Sequence, residues 1–228
     1  MPGRKLRGVP EARVQGGRSA AGGRYVLTHT LYVVRHGQTQ WNAQHRLQGS
    51  RDIDLNPVGR QQAAANGQTL AWLLPHASPY QLISSPMLRA ANTMKAIAQA
   101  LGQHEDAIRY DQRVTEISFG AWEGMTLQEV SQRMPEAFDA YETDPFAFIP
   151  MGGESYQQAS VRVADFLRSV SEDTVLVTHA GVIRVLLSLM AKVEHRAATQ
   201  LVIPQDQILM VQGSDYRWMR ASKDLEGR

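Results

Sequence analysis

Leu31-Tyr32-Val33-Val34 runs into Arg35-His36-Gly37-Gln38-Thr39, and Val175-Leu176-Val177 runs into Thr178-His179-Ala180-Gly181. Each is a short, β-branched apolar run that ends in a histidine followed by small residues. Continuous apolar runs are how strands read when both faces of a parallel sheet are covered. In open α/β sheets ligands sit outside the carboxyl ends of the strands. Both histidines are therefore expected at one crevice, with Arg35 beside them, and that set of groups suits phosphate chemistry.

Outward from these runs the chain alternates strand and helix signals. Asn56-Pro57 offers an N-cap followed by proline at the first helical position, opening a helix to about Leu74. Gln81 to Ser84 reads as a second strand, and Ser85-Pro86 repeats the cap-then-proline start, which puts Arg89 in a helix's first turn. A short strand is expected at Ile108 to Tyr110, a short helix behind the Thr126/Glu129 capping box, and a long helix behind Ser155/Gln158 that feeds the strand Thr174 to Thr178. Residues 135–153 carry prolines and aromatics and read as an irregular excursion. Ile208 to Val211 and Tyr216 to Ala221 read as edge strands.

The expected fold is α/β: a three-layer sandwich with a mostly parallel central sheet, helices on both faces and a small irregular cap. The expected division is a basic tail or mis-called start over 1–28, one domain over 29–221 with a cap candidate at 123–153, and a frayed terminus over 222–228. With 228 residues, 43% of them hydrophobic, the chain can bury one sizeable core. There is no cysteine, which excludes disulfides, thiolate metal sites and a thiol nucleophile. The net charge of +2 hides an asymmetry: residues 1–24 carry six basic side chains and one acid. That tail lacks the aromatics or helical period of a nucleic-acid binder, so no nucleic-acid partner is expected. It also lacks the apolar core of a signal peptide, and Val182 to Met190 is too short to span a bilayer. A cytoplasmic protein with no membrane partner is expected, and homo-oligomerisation stays open.

A phosphoryl group in transfer needs donors fixed around its equatorial oxygens and a nucleophile in line with the leaving oxygen. Arg35 and Arg89 supply guanidinium forks. His179, if protonated, supplies a further donor, and the amide at Ala180, where a helix begins, adds a positive dipole end. His36 is the natural nucleophile if neutral, with one ring N–H tied to a backbone carbonyl and the other nitrogen bare; Gly37 lets the backbone fold close enough for this. Glu116 then protonates the leaving oxygen and later takes a proton from water.

These residues resemble the histidine phosphatases, the phosphoglycerate mutase-like superfamily, over roughly 29–220. Arg35-His36-Gly37-Gln38-Thr39 looks like the phosphohistidine motif, with Asn42 where the family places a phosphate-contacting asparagine. Ser84 to Ala90 looks like the second arginine element. Glu116 with Phe119-Gly120 and Trp122-Glu123-Gly124 looks like the acid segment, and Gly152-Gly153-Glu154-Ser155 and Thr178-His179-Ala180-Gly181 complete the order. The resemblance implies phosphate binding by Arg35, Asn42, Arg89, His179 and Ala180, phosphorylation of His36, acid/base work by Glu116, and no cofactor or metal. Gln48 and Gly49, in the loop Arg46 to Arg51, are candidate substrate contacts.

Family mutases carry Arg-His after the acid and a longer stretch before the second histidine. Ile117-Ser118 and the short spacing here favour water as acceptor, hence a metal-independent phosphomonoester hydrolase acting on a small phosphorylated metabolite, similar to α-ribazole phosphatase and broad-specificity members. The alternatives are phosphoglycerate mutase-type transfer and a non-catalytic phospholigand-binding protein. A metal site of His36, His179 and Glu116 is disfavoured by the two arginines. Phe138, Tyr141, Phe146 and Phe148 are read as the cap's own miniature core, and Trp41, Trp72 and Trp218 as packing. Arg46 and Arg51 are read either as a second anion site or as solvated charge.

Overall fold

The two histidine-bearing runs are adjacent strands. In the computed structural model, which describes residues 27–74, 80–191 and 193–220, six strands form one sheet: β1 (Leu27–Arg35), β2 (Gln81–Ser84), β3 (Ile108–Tyr110), β4 (Thr174–Thr178), β5 (Gln207–Gly213) and β6 (Asp215–Arg220). Their order is β3-β2-β4-β1-β5-β6. The four strands from β3 to β1 are mutually parallel, β5 adds antiparallel to the β1 edge, and β6 pairs antiparallel with β5. The expectations for the tail up to residue 26 and for 222–228 lie outside the described residues.

Eight α-helices accompany the strands among the described residues: α1 (Gln40–Ala43), α2 (Pro57–Leu73), α3 (Leu88–Ala100), α4 (Leu127–Arg133), α5 (Pro135–Thr143), α6 (Tyr156–Ser169), α7 (Ala180–Met190) and α8 (His195–Gln200). The sheet is covered twice, and the strands' alternation says by what. Tyr32 and Val34 of β1, with Val175 and Val177 of β4, pack on Leu70 of α2 and Met94 and Ile97 of α3. Leu31 and Val33, with Leu176, pack on Val163 and Phe166 of α6 and Ile183 and Leu186 of α7. Both sets are apolar, and for this reason the runs showed no period of two. Each large apolar side chain buried this way contributes about 1.5–3 kcal/mol, and a one-residue slip would exchange both sets at once, so the register is strongly fixed.

The capping signals hold where the side chain is free to cap. Asn56 accepts from the Gly59 amide with Pro57 at the helix start, and reciprocal capping boxes form at Thr126/Glu129 and Ser155/Gln158. At Ser85-Pro86 the expectation fails: α3 begins at Leu88, its N-cap Met87 makes no side-chain bond, and the Ser85 hydroxyl bonds His179 instead. Arg89 still falls in the first turn. The excursion at 135–153 is also more regular than expected, because Pro135 sits at a first helical position and opens α5. Phe138 and Tyr141, three residues apart, share a face of that helix. Tyr141 and Phe148 pack on the buried Trp122, with ring centroids 5.6 and 5.1 Å away. The aromatics thus fold on themselves, apart from Phe146, which stacks on Tyr156 and His195. No helix among the described residues is long and apolar enough to cross a membrane.

Candidate active site

Parallel pairing puts Arg35 opposite Thr178, so the two chains leave the sheet side by side. The His36 amide donates to the Thr178 carbonyl at 2.9 Å, and the two imidazoles end with centroids 5.1 Å apart. β2 stops at the same edge, where the Ser85 amide donates to the Val177 carbonyl at 3.0 Å. From there the chain delivers Arg89 to the same place. His36, Arg89 and His179 are all essentially sealed from solvent, the most exposed of them, His36, at 2%.

His36 Nδ1 lies 2.8 Å from the Gly37 carbonyl oxygen. A carbonyl can only accept, so the proton is on Nδ1 and Nε2 is bare. Burial, then Arg89 and Arg35, hold the His36 pKa well below the usual histidine range, so the ring is neutral. Gly37 is glycine for a second reason that the sequence did not reveal: a Cβ there would overlap the Gly59 carbonyl of α2, and a Cβ on Gly59 would overlap the Gln38 carbonyl. Strand end and helix start therefore touch backbone to backbone, and the Gly37 amide donates to Thr93 Oγ1 at 3.0 Å.

The charges acting on His36 include Arg89 and Arg35, and among the described residues both guanidinium groups keep a buried nitrogen without a partner. Arg35 is tied by one guanidinium nitrogen to the Ile203 carbonyl at 2.7 Å, and Arg89 by two to the carbonyls of Arg51 and Gly49 at 2.7 and 2.9 Å. Arg35 Nε, Arg89 Nε and His179 Nδ1 are buried without a partner. Burial, above all, pushes Arg35 down to about 10, so it stays charged at neutral pH. Folded proteins seldom leave buried donors unpaired, and a cluster of them on three residues is a receptacle for an anion.

Glu116 sits at the amino end of α7, its Oε1 accepting from the Gly181 amide at 3.1 Å and the Ile117 amide at 3.0 Å. The carboxylate thus engages the Gly181 amide, the residue after Ala180, whose own amide is the one expected to serve phosphate. Asn42 is held through its carbonyl oxygen: Oδ1 accepts from the Thr39 amide and from Gln205 Nε2, both at 3.1 Å. Gln205 also donates to the His36 carbonyl at 3.1 Å. Nothing in the sequence singled out Gln205, because it lies far along the chain in a loop without a motif. Gln48 is buried and accepts from Thr39 Oγ1 at 2.9 Å, while Gly49, at φ 52°, contributes the carbonyl that holds Arg89. Both brace the site's wall.

Two side-chain expectations, for Arg46 and Trp72, are corrected, and Arg51 follows the solvated-charge reading. Arg46 is neither an anion site nor simply solvated: it pairs with Glu129 at 2.7 Å and donates to the Gly124 carbonyl at 2.6 Å. Arg51 contributes mainly its carbonyl, its side chain being 68% exposed and 3.4 Å from Glu123. Trp72 is exposed on α2 rather than packed, whereas Trp41 lies against Gly124 and Trp218 packs on the core.

Beside Glu116 a cleft of about 750 Å³ opens, with walls that include Ser50, Met87, Gln112, Thr115, Ser118 and Gln158. Hydroxyls and amides share its lining with Met87, Gly152, Gly153 and the charged groups of Glu116, Glu154 and Arg162. On its floor Arg162 is bonded to both oxygens of Glu154, at 2.9 and 2.8 Å.

The chain matches the family description "Histidine phosphatase superfamily (branch 1)" over residues 31–222. It is 36% identical over 162 residues to phosphoglycerate mutase-like protein 4 of Arabidopsis thaliana, covering 68% of each chain. It is 34% identical over 162 residues to the metal-independent phosphoserine phosphatase of the same plant, covering 68% of this chain and 66% of that one. Among solved structures, the mycobacterial glucosyl-3-phosphoglycerate phosphatase complexed with VO3 superposes with a TM-score of 0.68 at 27% identity, covering 84% of this chain and 97% of that one. The chain belongs to the histidine phosphatase superfamily (branch 1), as a phosphatase-type enzyme of the phosphoglycerate mutase-like kind.

Proposed function

We propose that the protein hydrolyses phosphomonoesters of small polar metabolites through a phosphohistidine at His36, without a metal or cofactor. The observation that carries this is the cluster of unpartnered buried donors, Arg35 Nε, Arg89 Nε and His179 Nδ1, beside a histidine whose Nδ1–H is tied to a carbonyl. In the first half-reaction His36 Nε2 attacks phosphorus, the bond to the leaving oxygen breaks, and Glu116 gives that oxygen a proton. In the second, Glu116 takes a proton from water as its oxygen attacks the phosphohistidine, releasing phosphate and restoring both residues. The arginine forks and the Asn42 amino group hold the equatorial oxygens throughout.

Hydrolysis is favoured over mutase-type transfer by the segment after the acid. Ile117 is packed into the core, so it offers no charged group to hold a second phosphate, and Glu116 borders a cleft that water can enter. The hydroxyl, amide and charged groups among that cleft's walls suit a small hydrophilic leaving group. The relatives reported above, named for phosphoserine and glucosyl-3-phosphoglycerate, give the substrate classes to try first. A cytoplasmic setting and self-association remain parts of this proposal, open to fractionation and light scattering.

The test is a screen of phosphoserine, sugar phosphates and phosphoglycerates, the last with and without bisphosphoglycerate primer, each with EDTA present. Release of inorganic phosphate that survives chelation supports the proposal. Primer-dependent isomerisation without phosphate release supports the mutase alternative and overturns it, as does tight phosphate binding with no turnover of any ester.

A further inference from the structure

His36 and His179 meet at one sheet edge, yet their hydrogen-bond partners are of opposite kind. The carbonyl at His36 Nδ1 can only accept. The partner of His179 is the Ser85 hydroxyl, 2.8 Å from Nε2, and a hydroxyl can donate or accept. Their meeting follows from register: Ser84 of β2 pairs with Val177 of β4, so the next residues out, Ser85 and the Thr178-His179 segment, leave the sheet together.

The surroundings of Ser85 decide the direction of this bond. Ser85 is fully buried, and its Oγ already receives the Met87 amide at 3.4 Å. Among the described residues the only acceptor within reach of its hydroxyl hydrogen is His179 Nε2. Were the ring proton on Nε2, the Ser85 oxygen would receive two donors, its own hydrogen would be buried without an acceptor, and a bare Nδ1 would be of no use to an anion. With the hydroxyl donating to Nε2, every group at Ser85 is satisfied and the proton falls on Nδ1, the atom left without a partner.

We infer that Ser85 is a positioning residue that holds His179 as its Nδ1–H tautomer, so that a neutral imidazole donates a hydrogen bond to an oxygen of the phosphoryl group moving to His36. The inference deepens the proposed phosphatase site and rests on it. Burial, followed by Arg89, His36, Arg35 and Arg162, holds the His179 pKa well below the usual range. In the free protein charge therefore does not make this ring a donor, and the tautomer must. The sequence left the donor role of His179 conditional on protonation; here the neutral ring donates, its orientation set by the residue that follows β2. One residue type thereby takes two roles: a carbonyl makes His36 an electron-pair donor, and a hydroxyl makes His179 a hydrogen-bond donor.

The experiment is a long-range proton–nitrogen correlation spectrum of the full chain labelled with 15N-histidine, the His179 signals being assigned from a His179→Gln variant. The expected result is a protonated Nδ1 and an unprotonated Nε2 on His179 in the wild type. In Ser85→Ala the proton moves wholly or partly to Nε2, and vanadate inhibition weakens about tenfold, as for one lost hydrogen bond to a charged ligand; Ser85→Thr, which keeps the hydroxyl, restores both. A protonated Nε2 in the wild type overturns the inference and requires no variant to fold. So does a Ser85→Ala protein whose His179 spectrum and vanadate inhibition both match the wild type. Wild-type hydrolysis is read separately: an active enzyme with the wrong tautomer removes the role of Ser85 and leaves the phosphatase proposal standing.

Discussion

Replacing Glu123 by alanine is expected to loosen the grip on Arg89 without touching any group of the phosphate basin. The Glu123 side chain is 5% exposed. It accepts from the Ser50 amide at 2.8 Å and hydroxyl at 2.9 Å, from Ser118 Oγ at 3.2 Å and from the Phe119 amide at 3.3 Å. The Ser50 bonds orient the Gly49 to Arg51 turn, whose carbonyls hold the Arg89 guanidinium, and the other two tie Glu123 to the Ser118-Phe119 segment. A buried hydrogen bond to a charged acceptor contributes about 1.5–3 kcal/mol. The Ser118 and Phe119 bonds are partly buried, whereas those from Ser50 and Arg51 face water and count for little, so the loss sums to roughly 3–4 kcal/mol. For a chain of this size that lowers Tm by about 10 °C. Because Arg89 then loses its fixed direction, inhibition by vanadate should weaken about tenfold, as for one lost charged hydrogen bond, while Glu123→Gln, which retains one acceptor oxygen, should lose roughly half as much in both assays. Calorimetry and vanadate titration decide the matter. An alanine variant within about 2 °C of wild type with unchanged vanadate inhibition would refute the coupling of Glu123 to Arg89.

Glu116→Gln should lower turnover of alkyl phosphates by about 10²–10⁴-fold, and that of p-nitrophenyl phosphate less, since its leaving group needs little protonation; equal losses on both would exclude Glu116 as the proton donor. Gly37→Ala drives a methyl group into the Gly59 backbone and should cost about 1–3 kcal/mol in urea unfolding, with turnover falling because the carbonyl that holds His36 Nδ1 must shift. His36 and His179 are both held well below the usual histidine pKa, burial being the largest cause for each. Below about pH 6.5 the unfolded chain therefore takes up protons that the folded chain refuses. Stability is fully present above that pH and falls on acidification, by up to about 1.4 kcal/mol per pH unit for each histidine. Urea midpoints between pH 7.5 and 5 check the slope, and His179→Gln should reduce it by about half.

The sheet and the candidate site were legible because they rest on local signals. Apolar runs such as Leu31 to Val34 report burial on both faces whatever lies elsewhere in the chain. Asn56 and Ser155 cap their helices by bonds that span three residues, and the order of the motifs carried His36, Arg89, Glu116 and His179 to one place. What escaped depends on distant partners. Ser85 looks like an N-cap by its neighbours, yet a histidine 94 residues away claims its hydroxyl. Gln205 reaches His36 across 169 residues, with no pattern around it to mark it. The α5 helix was hidden because aromatics and prolines read as irregular structure, whereas here proline starts the helix and the aromatics bury themselves on Trp122. Trp72 shows the converse: a residue type usually packed lies exposed when its helix turns it outward.

The central claim is a covalent bond from phosphorus to His36 Nε2. Rapid quenching of the enzyme with a 32P-labelled substrate, followed by peptide mapping, tests it most directly. The account predicts an acid-labile, base-stable label on the peptide containing His36 and no label in His36→Ala. Label on another residue, or an alanine variant that still carries it, would contradict the account.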